Sequence, residues 1–317
     1  MSRYTNLNIT KPKPRCLFLN VSDISMKLFS GTKLNQLFKP LIYDFTNDGK
    51  NISEYVQRLN IKYIVLDTTT VHVLPDNILL QIIELRLSGI KVYDANNFYE
   101  FVNKRIPLVK FQTNSYLADD IFSINLKPID QYCKRLLDLF TVFCASPFAI
   151  FLIAFGVVTI ILTSKGPAFF RQVRVGKNGV PFTIYKLRTM RIEHDAGFTT
   201  ADDKRITPVG KFLRKTKIDE LPQLFNILNG NMSLIGPRPE RPEFVKESIA
   251  ENAFFDLRHI IKPGVTGWAQ VNLPKATPKD NQKKLEYDLY YIKKYSFFLD
   301  IKIIFETIKV VLTMNSH

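Results

Sequence analysis

Little cysteine, a single tryptophan and a shortage of negative charge are the first features of this chain. Only Cys16, Cys133 and Cys144 occur, unevenly spaced, with Cys144 inside an apolar run. That excludes a disulfide framework and a cysteine metal site, and it suits a reducing cytoplasm. No G-x-G-x-x-G and no G-K-[ST] is present, so neither a bound dinucleotide nor ATP is indicated. Zinc-finger, recognition-helix and RNP patterns are missing too, as are internal repeats and low-complexity tracts. Met1 to Arg15 is polar and basic without an apolar core, which excludes a secretory signal peptide; its Lys11, Lys13 and Arg15 read as a solvated tail. Asp and Glu number 29 against 44 Lys and Arg, a net charge of +15. Such an excess suits an anionic lipid surface or a phosphorylated substrate. Nucleic acid is not expected as a partner, because the basic residues track an apolar segment and an Asp-Glu pair.

The length suggests two domains. From about Pro14 to Phe111 strand and helix patterns alternate. Cys16 to Val21, Lys62 to Asp67 and Lys91 to Asp94 read as strands, and Ile52 to Leu59, Ile78 to Leu87 and Phe98 to Val102 as helices. Asp76-Asn77 can cap the second helix, and Ser88-Gly89 can end it. The pattern predicts a small three-layer α/β domain over residues 1–111, a docking or regulatory module. A weak, mixed pattern over 112–131 reads as a linker, and a second domain runs over 132–317.

Leu139 to Leu162 carries no charge. Its roughly 24 residues make about 36 Å of helix, enough for a bilayer core of roughly 30 Å. Ser146-Pro147 falls about one third of the way along, where proline removes a backbone hydrogen bond and bends a helix. Lys134 and Arg135 precede the run, and Lys165, Arg171 and Arg174 follow it. The positive-inside rule then places both ends in the cytoplasm. Sequence physics admits a straight span or a helix that enters, kinks and returns.

Beyond it, Phe169 to Val175 and Pro181 to Tyr185 read as two strands around the turn Gly176-Lys177-Asn178-Gly179. Lys186 and Arg188 follow, placed to hold phosphate or to end a strand in solvent. Pro208 to Lys217 predicts an amphipathic helix: Val209, Phe212 and Leu213 are apolar, while Lys211, Arg214, Lys215 and Lys217 are basic, which suits anionic headgroups. Arg214 lies about a turn from Asp219. Pro222 suits the first turn of the next helix, so Asp219 falls near its N-cap. There it can cap the helix. It can also stay ionised and attack a phosphoryl centre, giving an acyl phosphate. Mg²⁺ held by carboxylate and substrate phosphates would supply the counter-charge, and Glu220 can bind that metal or act as general base. In Gly236-Pro237-Arg238-Pro239 one Arg stands between two fixed φ angles, a rigid grip for phosphate or a structural ion pair. Gly264 to Gln270 holds the only Trp, Trp268, as an interfacial anchor or a packed loop. Asp202-Asp203 reads as a metal pair or as solvated loop aspartates.

The ordered set KRLLD, an apolar segment with SP, GPAFFRQVRVG, YKLRTM, DELPQLFNILNGNMSLIGPRPERPEF, KPGVTGWAQV and LEYDLYYI resembles the bacterial sugar transferases, the monotopic polyprenyl-phosphate phosphoglycosyl transferases. It covers about Lys134 to Leu312. The resemblance implies transfer of a sugar 1-phosphate from a UDP-sugar to undecaprenyl phosphate, with UMP released, as the first membrane step of a surface polysaccharide or glycoconjugate. It implies an α+β monotopic catalytic domain at the cytoplasmic face of the bacterial inner membrane, with a re-entrant helix kinked at Ser146 and Pro147 and amphipathic interfacial helices on anionic lipid. The family's nucleophilic Asp falls on Asp219 and its partner Glu on Glu220, both toward Mg²⁺; its phosphate-binding cations fall on Lys186, Arg188, Arg214 and Arg238. Arg188 stands where some members have Lys. A covalent phosphosugar-aspartyl intermediate follows. The N-terminal domain resembles the Rossmann-like domain of longer members. Many of those carry transmembrane helices ahead of it, so a shortened architecture is expected. A homodimer is admitted as an assembly. Two other readings stand beside this one: a UDP-releasing glycosyltransferase using Asp202-Asp203, and a non-catalytic membrane scaffold.

Overall fold

The computed structural model describes residues 12–43, 51–67, 74–108, 128–191, 203–277 and 280–313. The chain divides into two compact units, Met1–Phe111 and Gln112–His317. Asp202 and most of the expected linker lie outside the described residues.

The first unit is built on a parallel sheet. Its strands are β1 (Arg15–Leu19), β2 (Lys39–Tyr43), β3 (Ile61–Leu66) and β4 (Lys91–Asp94), in the order β2-β1-β3-β4. Alternation along each strand divides its side chains between two faces. Cys16, Phe18 and Val65 enter one core with Phe98, while Leu17, Leu19 and Ile64 enter another with Ile52 and Ile78. Both faces of the sheet are therefore covered by helices. These are α1 (Asp23–Leu28), α2 (Leu34–Leu37), α3 (Ile52–Arg58), α4 (Asp76–Leu87) and α5 (Ala95–Asn103). The second of the four strands was not expected, and neither were the two short helices. Strand β2 contains Pro40, which cannot donate to a ladder; it is tolerated because β2 is the sheet's edge. Helix α4 starts at Asp76 with Pro75 at the cap position, so Asp76-Asn77 open the helix rather than cap it.

The second unit is organised around α6 (Pro128–Thr163), 36 residues long with a mean hydropathy of 2.5 in its most apolar window. It begins inside the segment expected as linker and runs through Pro147. Proline has no N–H for the carbonyl one turn back, Phe143; the Ser146 hydroxyl donates to that carbonyl at 2.9 Å. Small and aliphatic residues on one stripe pack inward. Val142 meets Ile184, Ile227 and Met232, and Ile160 meets Leu187, Leu213 and Ile218. The opposite stripe, with Phe140, Phe143, Phe148, Phe151 and Leu162, is exposed along its whole length.

Strands β5 (Phe169–Val175) and β6 (Pro181–Leu187) form the expected antiparallel hairpin, with Asn178 in left-handed conformation at its turn. Next come α7 (Pro208–Thr216), a 3-10 helix Ile218–Gln223, and α8 (Leu224–Leu228). β7 (Ser233–Ile235) pairs in parallel with β8 (Gly264–Thr266), and α9 (Pro242–Glu251) lies between them in sequence. Helices α10 (Trp268–Asn272), α11 (Asn281–Lys293) and α12 (Phe297–Leu312) complete the unit. Trp268 is buried and stacks on Tyr290 at 6.1 Å, which makes its loop a packed one.

Helix α7 rests directly on the chain beyond β6. A Cβ at Gly210 would lie 2.0 Å from the Thr189 carbonyl oxygen, so only glycine lets the two backbones meet. Gly210→Ala is expected to cost roughly 1–3 kcal/mol through the forced displacement of α7. Thermal unfolding of the purified protein in detergent checks this; an unchanged midpoint would show that the two segments part freely.

Candidate active site

Three segments far apart in sequence converge on one carboxylate. Lys186, at the end of β6, donates to Glu220 Oε1 at 2.6 Å, and Arg238 donates to the same oxygen at 3.0 Å. Burial acts to raise the Glu220 carboxyl, but the Lys186 and Arg238 charges outweigh it and hold the group well below its usual range. Burial in turn lowers the Lys186 ammonium, against the pull of Glu220.

Asp219 has the opposite environment. Burial and the adjacent Glu220 charge push its carboxyl up, while Lys186, Lys217 and Arg214 oppose the rise. Its Oδ1 is buried with no hydrogen-bond partner. Asp219 does not cap a helix. Lys217, in left-handed conformation with φ 60°, occupies the cap position of the 3-10 helix, and no side-chain cap bond forms there. That bend joins the end of α7 to the 3-10 helix and sets Arg214 and Asp219 on either side of it. Arg214 donates from Nε to Thr189 Oγ1 at 2.8 Å. Burial lowers its guanidinium, and Asp219 is the largest charge raising it.

The Pro-Arg-Pro loop is fixed from several directions. Arg258 donates to the Arg238 carbonyl at 3.0 Å and to Asp288 at 2.7 Å, the latter pair almost wholly buried. Burial pushes the Asp288 carboxyl up to about 6, with Arg258 opposing. Arg174 donates to the Pro239 carbonyl at 3.1 Å. The loop also lies too close to β8 for side chains. A Cβ at Gly264 would lie 2.1 Å from the Gly236 nitrogen, and one at Gly236 would lie 2.4 Å from the Lys262 oxygen. The two glycine motifs seen in the sequence are thus a single junction.

These residues border a cleft of about 1000 Å³, lined by Arg174, Arg214, Lys217, Glu220, Arg238 and Arg258 among others. Asp219 itself is not in that lining; it is buried next to Lys217 and Glu220, which are. No group of three or more His, Cys, Asp or Glu gathers among the described residues. A divalent ion here would therefore draw on the two carboxylates of Asp219 and Glu220.

The structure brings together Lys186, Arg214, Asp219, Glu220 and Arg238. Arg188, the other cation expected to hold phosphate, donates its hydrogen bonds to a different segment. Its guanidinium donates to the Lys165 carbonyl at 2.7 Å, and to the Ser164 carbonyl and hydroxyl at 2.9 and 2.7 Å. It closes the end of α6. Ser146 and Pro147 lie within α6, away from the carboxylates in sequence and without a bond to them. Asp203 is held by Arg205, with contacts of 2.9 and 2.7 Å. Lys217, Arg174, Arg258 and Asp288 were not anticipated. Lys217 adjoins the acidic pair and could have been found by position. Asp288 belongs to LEYDLYYI, one of the motifs of the family resemblance, but nothing in that motif marks it as the partner of Arg258, which lies outside the quoted motifs.

The family model described as bacterial sugar transferase matches residues 129–314. A UDP-N-acetylgalactosamine-undecaprenyl-phosphate N-acetylgalactosaminephosphotransferase of Aeromonas hydrophila is 42% identical over 231 residues, 72% of this chain and 53% of that protein. A UDP-glucose:undecaprenyl-phosphate glucose-1-phosphate transferase of Klebsiella pneumoniae is 35% identical over 302 residues, 92% of this chain and 62% of that protein. An uncharacterized sugar transferase of Bacillus subtilis is 45% identical over 184 residues, 56% of this chain and 87% of that protein. The chain thus spans about half the length of the Aeromonas relative, and the Klebsiella match runs well into the first unit. The extent of the family match, over the same residues that build the carboxylate cluster and its cleft, establishes that the chain belongs to the bacterial sugar transferase family.

Proposed function

We propose that this chain transfers a sugar 1-phosphate from a UDP-sugar to undecaprenyl phosphate, releases UMP, and so begins assembly of a surface polysaccharide or glycoconjugate. The observation that carries the reading is the split between the two adjacent carboxylates. Glu220 is ionised and clasped by two cations; Asp219 is buried beside it with an unpaired oxygen. Such a division assigns different roles to neighbouring acids. The names of the Aeromonas and Klebsiella relatives carry the same chemistry with two different sugars, and nothing in the cleft selects one.

In the first half-reaction an Asp219 carboxylate oxygen attacks the phosphorus attached to the sugar. The bond from that phosphorus to the bridging oxygen breaks, and UMP leaves with the electron pair. The sugar phosphate is then an acyl phosphate on Asp219. In the second, an oxygen of the prenyl phosphate attacks the same phosphorus, the carboxylate leaves, and a prenyl diphosphate sugar forms. Arg214, Lys217 and Arg238 border the space where phosphate charge would gather. Glu220 keeps Lys186 and Arg238 in place. Magnesium fits the pair, since the unpaired Asp219 oxygen and Glu220 would provide carboxylate ligands, and phosphate and water usually complete such a shell. When bound, it would neutralise charge between the approaching anions. UDP-releasing transfer has less support, because the Asp203 carboxylate is engaged by Arg205.

The same reading places the second unit on the cytoplasmic face of the inner membrane, with α6 entering and returning. Both ends of α6 are bonded to one polar unit: Lys134 to Asp300 at 2.9 Å, and Ser164 to Arg188 at 2.7 Å. Those residues lie about 45 Å apart along a straight helix, more than a bilayer core of roughly 30 Å. A straight span would set them on opposite sides, which a single hydrated unit cannot follow. Tags on the two chain termini are expected to be protected together from an impermeant reagent in intact cells; labelling of one alone would establish a span.

Purified protein with Mg²⁺, undecaprenyl phosphate and a panel of UDP-sugars is expected to release UMP with one of them. Release of UDP would overturn the mechanism. Asp219→Asn is expected to abolish UMP release while leaving membrane association intact, and full activity in that variant would remove Asp219 from the reaction.

The pH profile tests the same carboxyl. Asp219 must be ionised to attack, so kcat/KM falls as pH drops through its pKa. Because that pKa is raised, the acid limb is expected above the ordinary carboxylate value of about 4. Lys217→Asn keeps a residue suited to left-handed backbone and removes a charge that lowers the pKa. Its acid limb is expected to move to higher pH, and a move to lower pH would contradict the assignment.

A further inference from the structure

The lining of the cleft is mixed. It includes the cations Arg174, Arg214, Lys217 and Arg238, and also Leu221 and Leu224, Val265 of β8, and Val310 and Val311 of α12. Leu224 and Val265 pack on one apolar cluster, and Leu221 follows Glu220 in the chain. A UDP-sugar is polar from base to hexose, and burying its hydroxyls and amides against valine and leucine would cost hydrogen bonds with water. A lining that offers both cations and these apolar side chains suits a ligand with one anionic head and a hydrocarbon tail.

Helix α12 joins the cleft to the outside. It is pinned to β8 by the hydroxyl pair Thr266 and Thr307 at 2.7 Å. Asp300 and Ile303 are buried, while Phe305, Ile308 and Leu312 are exposed. The same helix thus lines the cleft with Val310 and Val311 and presents an apolar surface to the exterior. Helix α8 repeats the arrangement: Leu224 lines the cleft, and Phe225 and Leu228 are exposed. Large apolar side chains on two such helices are suited to contact with lipid.

We propose that the space lined by Leu221, Leu224 and the last turns of α12 holds the first isoprene units of the prenyl phosphate acceptor, whose phosphate meets the cations of the same cleft. This rests on the proposed transfer reaction and locates its acceptor within the cleft. The donor then occupies the polar part of the cleft, and the two substrates share only the reacting phosphates. Val310 and Val311 touch no reacting atom in this arrangement; they act on acceptor binding alone.

The test uses the full chain in detergent micelles, with undecaprenyl phosphate and with geranyl phosphate, a soluble acceptor of two isoprene units. Val310→Trp fills the space. It is expected to raise the KM for both acceptors by about tenfold or more, while the KM for the UDP-sugar holds. UMP released in the absence of acceptor, one equivalent per Asp219, is expected to be unchanged. Val310→Thr keeps the volume and adds a hydroxyl, and is expected to raise the acceptor KM about two- to fivefold. It serves as the second probe should the larger side chain disturb folding, which loss of the acceptor-free UMP release would reveal. An unchanged acceptor KM in Val310→Thr and in a folded Val310→Trp would overturn the proposal, as would a rise confined to the UDP-sugar. A rise for undecaprenyl phosphate alone would also overturn it, by placing only distant isoprene units near α12. Wild-type protein that releases no UMP with any UDP-sugar would overturn the underlying reaction instead, whatever the valine variants do.

Discussion

The contact on which the catalytic unit depends is the grip of Lys186 and Arg238 on one oxygen of Glu220. It gathers a strand end, the turn after α7 and a proline-bound loop, three pieces that share no local sequence. Removing the carboxylate would leave two partly buried cations facing each other, which is unfavourable in a low-dielectric site. The same contact governs Asp219. Because Glu220 is kept ionised, its charge joins burial in pressing Asp219 toward protonation, and Lys217 and Arg214 press back. The two acids titrate as a coupled pair, and their environments move them in opposite directions.

Rigidity reaches this contact through a second layer. The buried Arg258 and Asp288 hold the Arg238 carbonyl, Arg174 holds the Pro239 carbonyl, and the Gly236–Gly264 junction brings the loop against β8. Two prolines limit the backbone around Arg238, so much of the cost of orienting its guanidinium is met before any ligand arrives. A Lys at that position would carry the charge without the planar fork that lets Arg meet carboxylate and phosphate together.

Alternation made most of the first unit legible: Cys16 and Phe18 against Leu17 and Leu19 is a period of two that the cores reproduce. Strand β2 was hidden by Pro40, whose tolerance depends on an edge position no local pattern announces. The acidic pair, Arg214 and Arg238 were legible by charge and spacing. The contacts of Arg188 were not legible, because the strand ends at Leu187 and past that point alternation no longer says where a side chain goes. Arg258 and Asp288 were illegible because their pairing joins residues 30 apart, and only the packed fold puts them together. The start of α6 was missed for a related reason. Its first turns are polar, and their helicity is supported by partners elsewhere in the unit.

Those polar turns bear on the position of the chemistry. Lys134 bonds Asp300 and Tyr291, Arg135 donates to the Ile227 and Leu228 carbonyls at the end of α8, and Asp138 accepts from Ser233 and the Leu234 nitrogen. Further along, Gly156 lets α6 close on Leu187, the neighbour of Lys186. The long apolar helix is thus bonded to the segment that follows Asp219 and packed against the strand that carries Lys186. In the proposed reaction the lipid phosphate stays at the bilayer surface, whereas the nucleotide sugar arrives from water. A site serving both would have to keep a fixed height relative to the membrane, and a loosely tethered domain would lose the orientation that such a transfer needs. Under that proposal α6 would fix the height, and α6 is also a wall of the core beneath the carboxylates, so the same bonds would carry anchoring and positioning.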